Sequence, residues 1–198
     1  MAKVYYDKDA NLKFIKNKKI AVIGYGAQGR AQALNLRDSG VKVIIAELKN
    51  SPNYKIAVRD GFKPVSALEA AKKSDIIHML AQDHVQAIIY EQIKPHLKKG
   101  NALSFSHGFN IHFKQIKPPK FVDIFMVAPK GPGTLVRDMY VEKKGVPCLI
   151  AVHQNASGQA KKLALAFAKA IGGTRAGVIA VSYTHLRAHE TVLDLVCR

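Results

Sequence analysis

An α/β fold is what this sequence predicts: a Rossmann-type, doubly wound, mostly parallel sheet with helices on both faces. Three observations predict it. Short runs rich in Val and Ile alternate with helix-like stretches along the chain, as strands joined by crossover helices do. Gly24-Tyr25-Gly26-Ala27-Gln28-Gly29 is a GxGxxG lying directly behind the first such run and in front of the first helical one. A carboxylate, Glu47, closes the second run.

The elements follow in order. Residues 19–24 (KIAVIG) read as a buried first strand, and residues 28–39 as a helix stopped by Gly40. Residues 42–47 (KVIIAE) are a second strand, and Ser51-Pro52 opens a short helix with Pro at an early helical position. Residues 61–65 read as a short strand. Ser66 and Glu69 are spaced as a capping box for a helix ending at Lys73. Residues 75–80 (DIIHML) are a further strand, followed by a helix that Asp83 caps and whose apolar face carries Val85, Ile88 and Ile89. Residues 102–105 form a strand running into Ser106-His107-Gly108. Residues 122–128 and 149–153 are two more strands. Residues 157–171 form an amphipathic helix with Leu163, Ala164, Phe167 and Ile171 at core spacing, ended by Gly172-Gly173.

Composition narrows the class. The chain has 198 residues and is 48% hydrophobic and 23% charged, the balance of one globular domain. Its two cysteines, Cys148 and Cys197, show no metal or disulfide spacing, which suits a reducing cytoplasm. No apolar run reaches the ~18 residues a membrane span needs, so no membrane partner is expected. The net charge of +17 raises nucleic acid as a partner. The lysines are instead scattered over element ends and polar helix faces, without interleaved aromatics. A solvated surface with weak, salt-sensitive attraction to polyanions is expected, not a nucleic-acid site.

The glycine motif carries the chemistry. Gly24 permits the tight turn, Gly26 lets the backbone approach a pyrophosphate, and Gly29 lets helix pack on strand. The N–H groups at the helix start then face the phosphate charge. The chain therefore reads as binding a nicotinamide dinucleotide. At the end of the second strand Glu47 suits the ribose diol of NAD, whereas Lys49 and Ser51 suit the 2′-phosphate of NADP. Both NADP(H) and NAD(H) stay open. His107, in a loop at the carboxyl end of the sheet, is placed for proton transfer. His78, inside an apolar strand, reads as a core histidine.

Longer motifs add a resemblance. MAKVYYDKDANL, IAVIGYGAQG, SFSHGFNIHF, MVAPKGPG, GVPCLIAVHQNASG and IGGTRAGVIA together resemble the N-terminal NADP-binding domain of short-form, class I ketol-acid reductoisomerase. The resemblance runs from residue 1 to about 179. It implies an oxidoreductase of isoleucine and valine biosynthesis, in which a magnesium pair drives an alkyl migration. NAD(P)H then reduces the product to a 2,3-dihydroxy acid. The implied substrates are 2-hydroxy-2-alkyl-3-keto acids, 2-acetolactate and 2-aceto-2-hydroxybutyrate. Residues Gly24, Tyr25, Gly26, Ala27, Gln28 and Gly29 match the pyrophosphate loop, with Glu47, Lys49 and Ser51 at the adenosine end. Asp83, His84, Val85 and Gln86 match the second cofactor segment, Gly133 a further cofactor contact, and His107 the active-site histidine. The family is homo-oligomeric.

Three departures stand out. Glu47 and Leu48 replace a hydrophobic residue and an arginine, which weakens strict NADP preference. Arg30 and Gln32 stand where the family often has two histidines, with little effect expected. Residues 1–180 read as the dinucleotide-binding domain, whereas 181–198 (VSYTHLRAHETVLDLVCR) break the pattern and resemble translated sequencing-adaptor read-through. That tail stands where the family's helical knotted domain supplies the magnesium carboxylates. Glu190 and Asp194 lie four apart, but their neighbours do not match, so no metal ligands are assigned. The expectation is a cofactor-binding half without turnover of its own. The alternative is a stand-alone nucleotide-binding module without catalysis.

Overall fold

The computed structural model describes residues 3–181. Eight strands form one sheet: β1 (Val4–Tyr5), β2 (Lys19–Ile23), β3 (Lys42–Ala46), β4 (Ile76–Met79), β5 (Ala102–Phe105), β6 (Asp123–Pro129), β7 (Cys148–Gln154) and β8 (Val178–Ala180). Among the described residues nine α-helical segments connect or flank them: α1 (Lys13–Lys16), α2 (Ala27–Asp38), α3 (Pro52–Arg59), α4 (Ala67–Lys73), α5 (Asp83–Ile93), α6 (Phe109–His112), α7 (Gly133–Val141), α8 (Ala160–Ala170) and α9 (Gly173–Ala176).

The spatial order is β1-β8-β7-β6-β5-β4-β2-β3. Strands β3, β2, β4, β5 and β6 are mutually parallel in sequence of pairing. The chain reverses direction across β2, moving outward to β3 and then back over to β4. That reversal is the switch point where doubly wound sheets open a crevice at their carboxyl ends. The central strands are buried along nearly their whole length, as strands covered on both faces must be. Two large apolar clusters lie on opposite faces. One joins Val22, Phe125, Val127 and Phe167 under α2 and α8. The other joins Ala21, Ile77, Leu103 and Ile124 under α4 and α5.

Four expectations are corrected. Residues 61–65 do not form a strand: only Val65 bridges to Ala46, because the segment has one partner strand and leaves it at once for α4. The capping box is half made. Ser66 Oγ accepts from Glu69 N–H at 3.2 Å, while the Glu69 carboxylate turns to Lys73 at 2.6 Å. Asp83 is the first helical residue of α5, behind Gln82 as N-cap. The face α5 buries is Gln86, Tyr90 and Ile93, and Ile88 is exposed. The mostly parallel sheet is borne out: β7 runs antiparallel to β6 and β1 antiparallel to β8, while the pairings from β6 out to the edge strand β3, and that of β7 with β8, are parallel. The reading of 181–198 as a tail, with Glu190 and Asp194, lies outside the described residues except for Val181.

Candidate functional site

Four loops leave the carboxyl ends of β2, β4, β5 and β6, and they carry most of the site residues read from the sequence. The loop after β2 contains the GxGxxG, and Gly24 has φ +98°. A Cβ there would lie 2.7 Å from the Ala81 nitrogen on the loop after β4. Only glycine permits both the turn and that approach. A Cβ at Gly29 would run into the Gly24 carbonyl, so the third glycine folds α2 back onto its own loop. Gly26 differs: nothing lies within 4 Å of where its Cβ would sit. That space borders the N-terminus of α2, whose first N–H groups favour an anion. The open side of Gly26 has room for a phosphate against those N–H groups, a geometry that fits a dinucleotide.

Gly133 is placed beside this loop. It begins α7, and a Cβ on it would collide with the Ala27 carbonyl. The Gln28 side chain fastens the same contact, donating Nε2–H to the Gly131 carbonyl at 2.8 Å. The N-termini of α2 and α7 thus meet at one spot although a hundred residues of chain separate them. Ala27 itself is exposed.

At the end of β3, the Glu47 carboxylate is fixed from two sides. Oε2 accepts the Tyr25 N–H at 2.7 Å and Oε1 the Leu48 N–H at 2.9 Å. Ser51 Oγ reaches Oε1 at 3.4 Å and also caps α3 by accepting the Tyr54 N–H at 3.0 Å. Lys49 is exposed on the same turn. A fixed carboxylate beside the phosphate loop is suited to sugar hydroxyls and repels a second phosphate.

The Tyr25 side chain points away from the cradle into the protein and is 1% exposed. Its hydroxyl donates to Asp60 Oδ2 at 2.9 Å. Arg30 grips the same carboxylate with Nε at 2.7 Å and Nη2 at 3.0 Å. These bonds, the Arg30 one first, hold the Asp60 carboxyl below its usual range, and burial, reinforced by Asp60, pushes the Tyr25 phenol up. The loop is braced from beneath by residues that the sequence reading left out. Little effect is expected of Arg30 from the sequence, and Asp60, although part of a DGF motif shared with the family, carries no sign of this role.

Gln32, at which the sequence predicts little effect, is fully buried. Its Nε2 donates to Gln28 Oε1 at 3.1 Å and to Ser106 Oγ at 3.2 Å, and its Oε1 lies 3.0 Å from His78 Nε2. On the other side His78 Nδ1 meets Ser104 Oγ at 3.0 Å. The core reading of His78 holds. Burial drives its pKa down to about 3, so the ring is neutral. Nε2 then donates to Gln32 and Nδ1 accepts from Ser104. This chain of side chains runs from the middle of the sheet to the phosphate loop.

The segment Asp83–Gln86, which the resemblance assigns to the cofactor, opens α5. Gln86 is buried and donates Nε2–H to the Ala81 carbonyl at 2.7 Å. Val85 is partly buried, and His84 is exposed. Asp83 turns toward the loop after β5, where its Oδ2 lies 3.0 Å from His107 Nδ1. Among the described residues no group of three or more His, Cys, Asp or Glu side chains could hold a metal ion. Magnesium, which the resemblance implies, is therefore not fitted by residues 3–181.

Comparison with known proteins decides the family. Residues 14–177 match the model of the NADPH-binding domain of acetohydroxy acid isomeroreductase. The chain belongs to the ketol-acid reductoisomerase family. It is 58% identical to the ketol-acid reductoisomerase (NADP(+)) of Petrotoga mobilis over 98% of its own length and 58% of that protein's. It also superposes with a TM-score of 0.93 on an NADH-preferring ketol-acid reductoisomerase from an uncultured archean, 47% identical, covering 96% of this chain and 59% of that one. A semialdehyde dehydrogenase NAD-binding protein from Cupriavidus necator, 20% identical with a TM-score of 0.76 over 91% of this chain and 72% of that one, shares the fold. The chain thus spans just under three fifths of the ketol-acid reductoisomerases it matches. No described helix is long and apolar enough to cross a membrane.

Proposed function

We propose that this chain is the nicotinamide-cofactor half of a ketol-acid reductoisomerase acting on 2-acetolactate and 2-aceto-2-hydroxybutyrate. The observation that carries the reading is the empty volume above Gly26. Around it the loop ends of β2, β4 and β6 are locked together by glycine contacts and by the Gln28–Gly131 bond. When bound, the cofactor supplies hydride. Residues Gly24–Gly29 and Gly133 bind its pyrophosphate, and Glu47, Lys49 and Ser51 meet its adenosine end. Residues Asp83–Gln86 flank it from the second loop.

His107 serves as the proton carrier. Its side chain is 39% exposed, and its buried Nδ1 lies 3.0 Å from an Asp83 carboxylate oxygen. A histidine there accepts or returns a proton at a hydroxyl or carbonyl oxygen near neutral pH. The two-metal alkyl migration needs carboxylates from outside residues 3–181, because the described residues provide no such cage. The working partners are a second, metal-binding region and further copies of the chain. A buried, unpaired Cys148 suits a cytoplasmic setting.

Fluorescence titration with NADPH and NADH tests the reading. Binding of either is expected, with loss on Gly26→Asp, whose carboxylate would fill the cradle and repel phosphate. A folded chain that binds neither sinks the proposal. Glu47 sets the preference: Glu47→Gln is expected to raise the NADPH-to-NADH affinity ratio roughly fivefold, about 1 kcal/mol. With magnesium and 2-acetolactate, the chain by itself is expected to give no turnover.

A further inference from the structure

The chain segments that follow β2, β5 and β6 are tied to one another through a single buried side chain. Gln32 lies in α2 and is closed off from solvent. Its Nε2 is 3.1 Å from Oε1 of Gln28, in the glycine motif after β2, and 3.2 Å from Oγ of Ser106, directly after β5. Gln28 in turn reaches the Gly131 carbonyl after β6 at 2.8 Å. Ser106 Oγ reaches the Val127 carbonyl of β6, also at 2.8 Å.

The two backbone carbonyls fix the direction of these bonds, because a carbonyl can only accept. Gln28 gives an amide N–H to Gly131, so its Oε1 is what faces Gln32. Ser106 gives its hydroxyl proton to Val127, so a lone pair of Oγ is what faces Gln32. Both neighbours therefore call for a donor. The Gln32 amide nitrogen has two N–H groups and supplies one to each. Its Oε1 is left to accept from His78 Nε2 at 3.0 Å, which the neutral ring can give. Two independent demands thus impose one amide orientation and use both of its N–H groups. No water competes for a side chain so deeply buried, and losing it would leave several polar atoms unpaired.

We propose that Gln32 is a positioning residue of the cofactor site. It keeps Gln28 turned toward Gly131 and anchors Ser106, so that the glycine motif and the segments after β5 and β6 hold their spacing before a dinucleotide arrives. The inference rests on reading the space above Gly26 as the pyrophosphate site. It adds which buried residue preorganises that site and through which bonds. Being buried, Gln32 acts only through Gln28 and Ser106, as a support that locks the rotamer of the residue in front of it. An apolar side chain of the same length would fill the volume and offer no donor.

Gln32→Met removes the donor pair and keeps the length. Well below its melting temperature, with circular dichroism showing a folded chain, its NADH and NADPH affinities are expected to fall about fivefold, the effect of one lost hydrogen bond. Leu36→Ala, one turn further along α2 and also buried, is expected to lower the melting temperature and leave both affinities unchanged. A purely structural role would move the melt alone. Side-chain amide spectra of the chain labelled with 15N-glutamine, without cofactor, give a second readout. The Gln28 amide protons are expected to exchange with solvent more slowly than those of exposed Gln92, and to lose that protection in Gln32→Met. A folded Gln32→Met that binds both cofactors as tightly as the parent overturns the proposal, as does one whose Gln28 amide stays protected. Should the variant not fold, the parent decides: a Gln28 amide exchanging as fast as that of Gln92 overturns the proposal, and a protected one supports it. A parent chain that binds neither cofactor while Gln28 stays protected refutes the reading of the space above Gly26 instead, and the positioning role falls with it.

Discussion

Gly26 and Gly133 both border the phosphate loop, but they are glycine for different reasons. At Gly26 an added methyl meets nothing in the protein and would occupy only the space above the loop. At Gly133 it would strike the Ala27 backbone, which cannot swing away as a side chain would. Gly26→Ala is expected to leave the melting temperature nearly unchanged while weakening NAD(P)H binding at least tenfold. Gly133→Ala is expected to cost about 1–3 kcal/mol of stability, as overpacking does, and to weaken binding as a consequence. Thermal melts beside cofactor titrations separate the two. Equal melting losses for both variants would contradict the distinction. The GxGxxG made Gly26 legible in the sequence. The reason for Gly133 was not legible, because the atom it must avoid lies on another element.

At the scale of elements, β4 carries a polar residue in the wrong place for a buried strand, and its neighbours make it tolerable. Gln32 of α2 and Ser104 of β5 satisfy both nitrogens of His78, and the Phe167 ring lies 4.6 Å away. The sign of the pH effect follows. Folding lowers the His78 pKa to about 3 from 6.5, so between those values the unfolded chain binds the extra proton. Stability is fully present above pH 6.5 and is lost as pH falls, by up to ~1.4 kcal/mol per pH unit from this group. His153, whose pKa burial also lowers, adds in the same direction. Urea midpoints are expected to drop between pH 7 and pH 5, and less steeply in His78→Asn. An equal slope in that variant would remove His78 as the cause. The strand and its buried histidine were readable from DIIHML. Gln32 was not, since helical spacing shows that a residue faces inward without showing what it meets there.

For the whole molecule, the charge of +17 and the crevice are separate properties. The site itself has acids, Glu47 and Asp83, at its two flanks, while lysines populate the outer ends of helices such as Lys72 and Lys73 on α4. There they offset the negative end of the helix dipole. The chain is expected to bind heparin only at low ionic strength, to elute at or below about 0.2 M salt, and to be unaffected there by NADPH. Retention beyond that, or displacement by NADPH, would show that the surface charge is part of the site.

By itself the sequence determined the alternation of strands and helices, the phosphate loop, the carboxylate at the end of the second strand and the histidine after β5. Each is a local pattern, written in residues a few positions apart and imposed by backbone geometry or by the approach of a phosphate. Tertiary structure alone decided that α2 and α7 meet tip to tip, that β7 turns antiparallel, and that 61–65 shrinks to a single bridge. It also decided that Asp60 and Arg30 brace Tyr25 and that Asp83 faces His107. Those outcomes depend on partners far apart in the chain, up to the 103 residues between Gln28 and Gly131, and a partner becomes identifiable only when packing has brought it within reach.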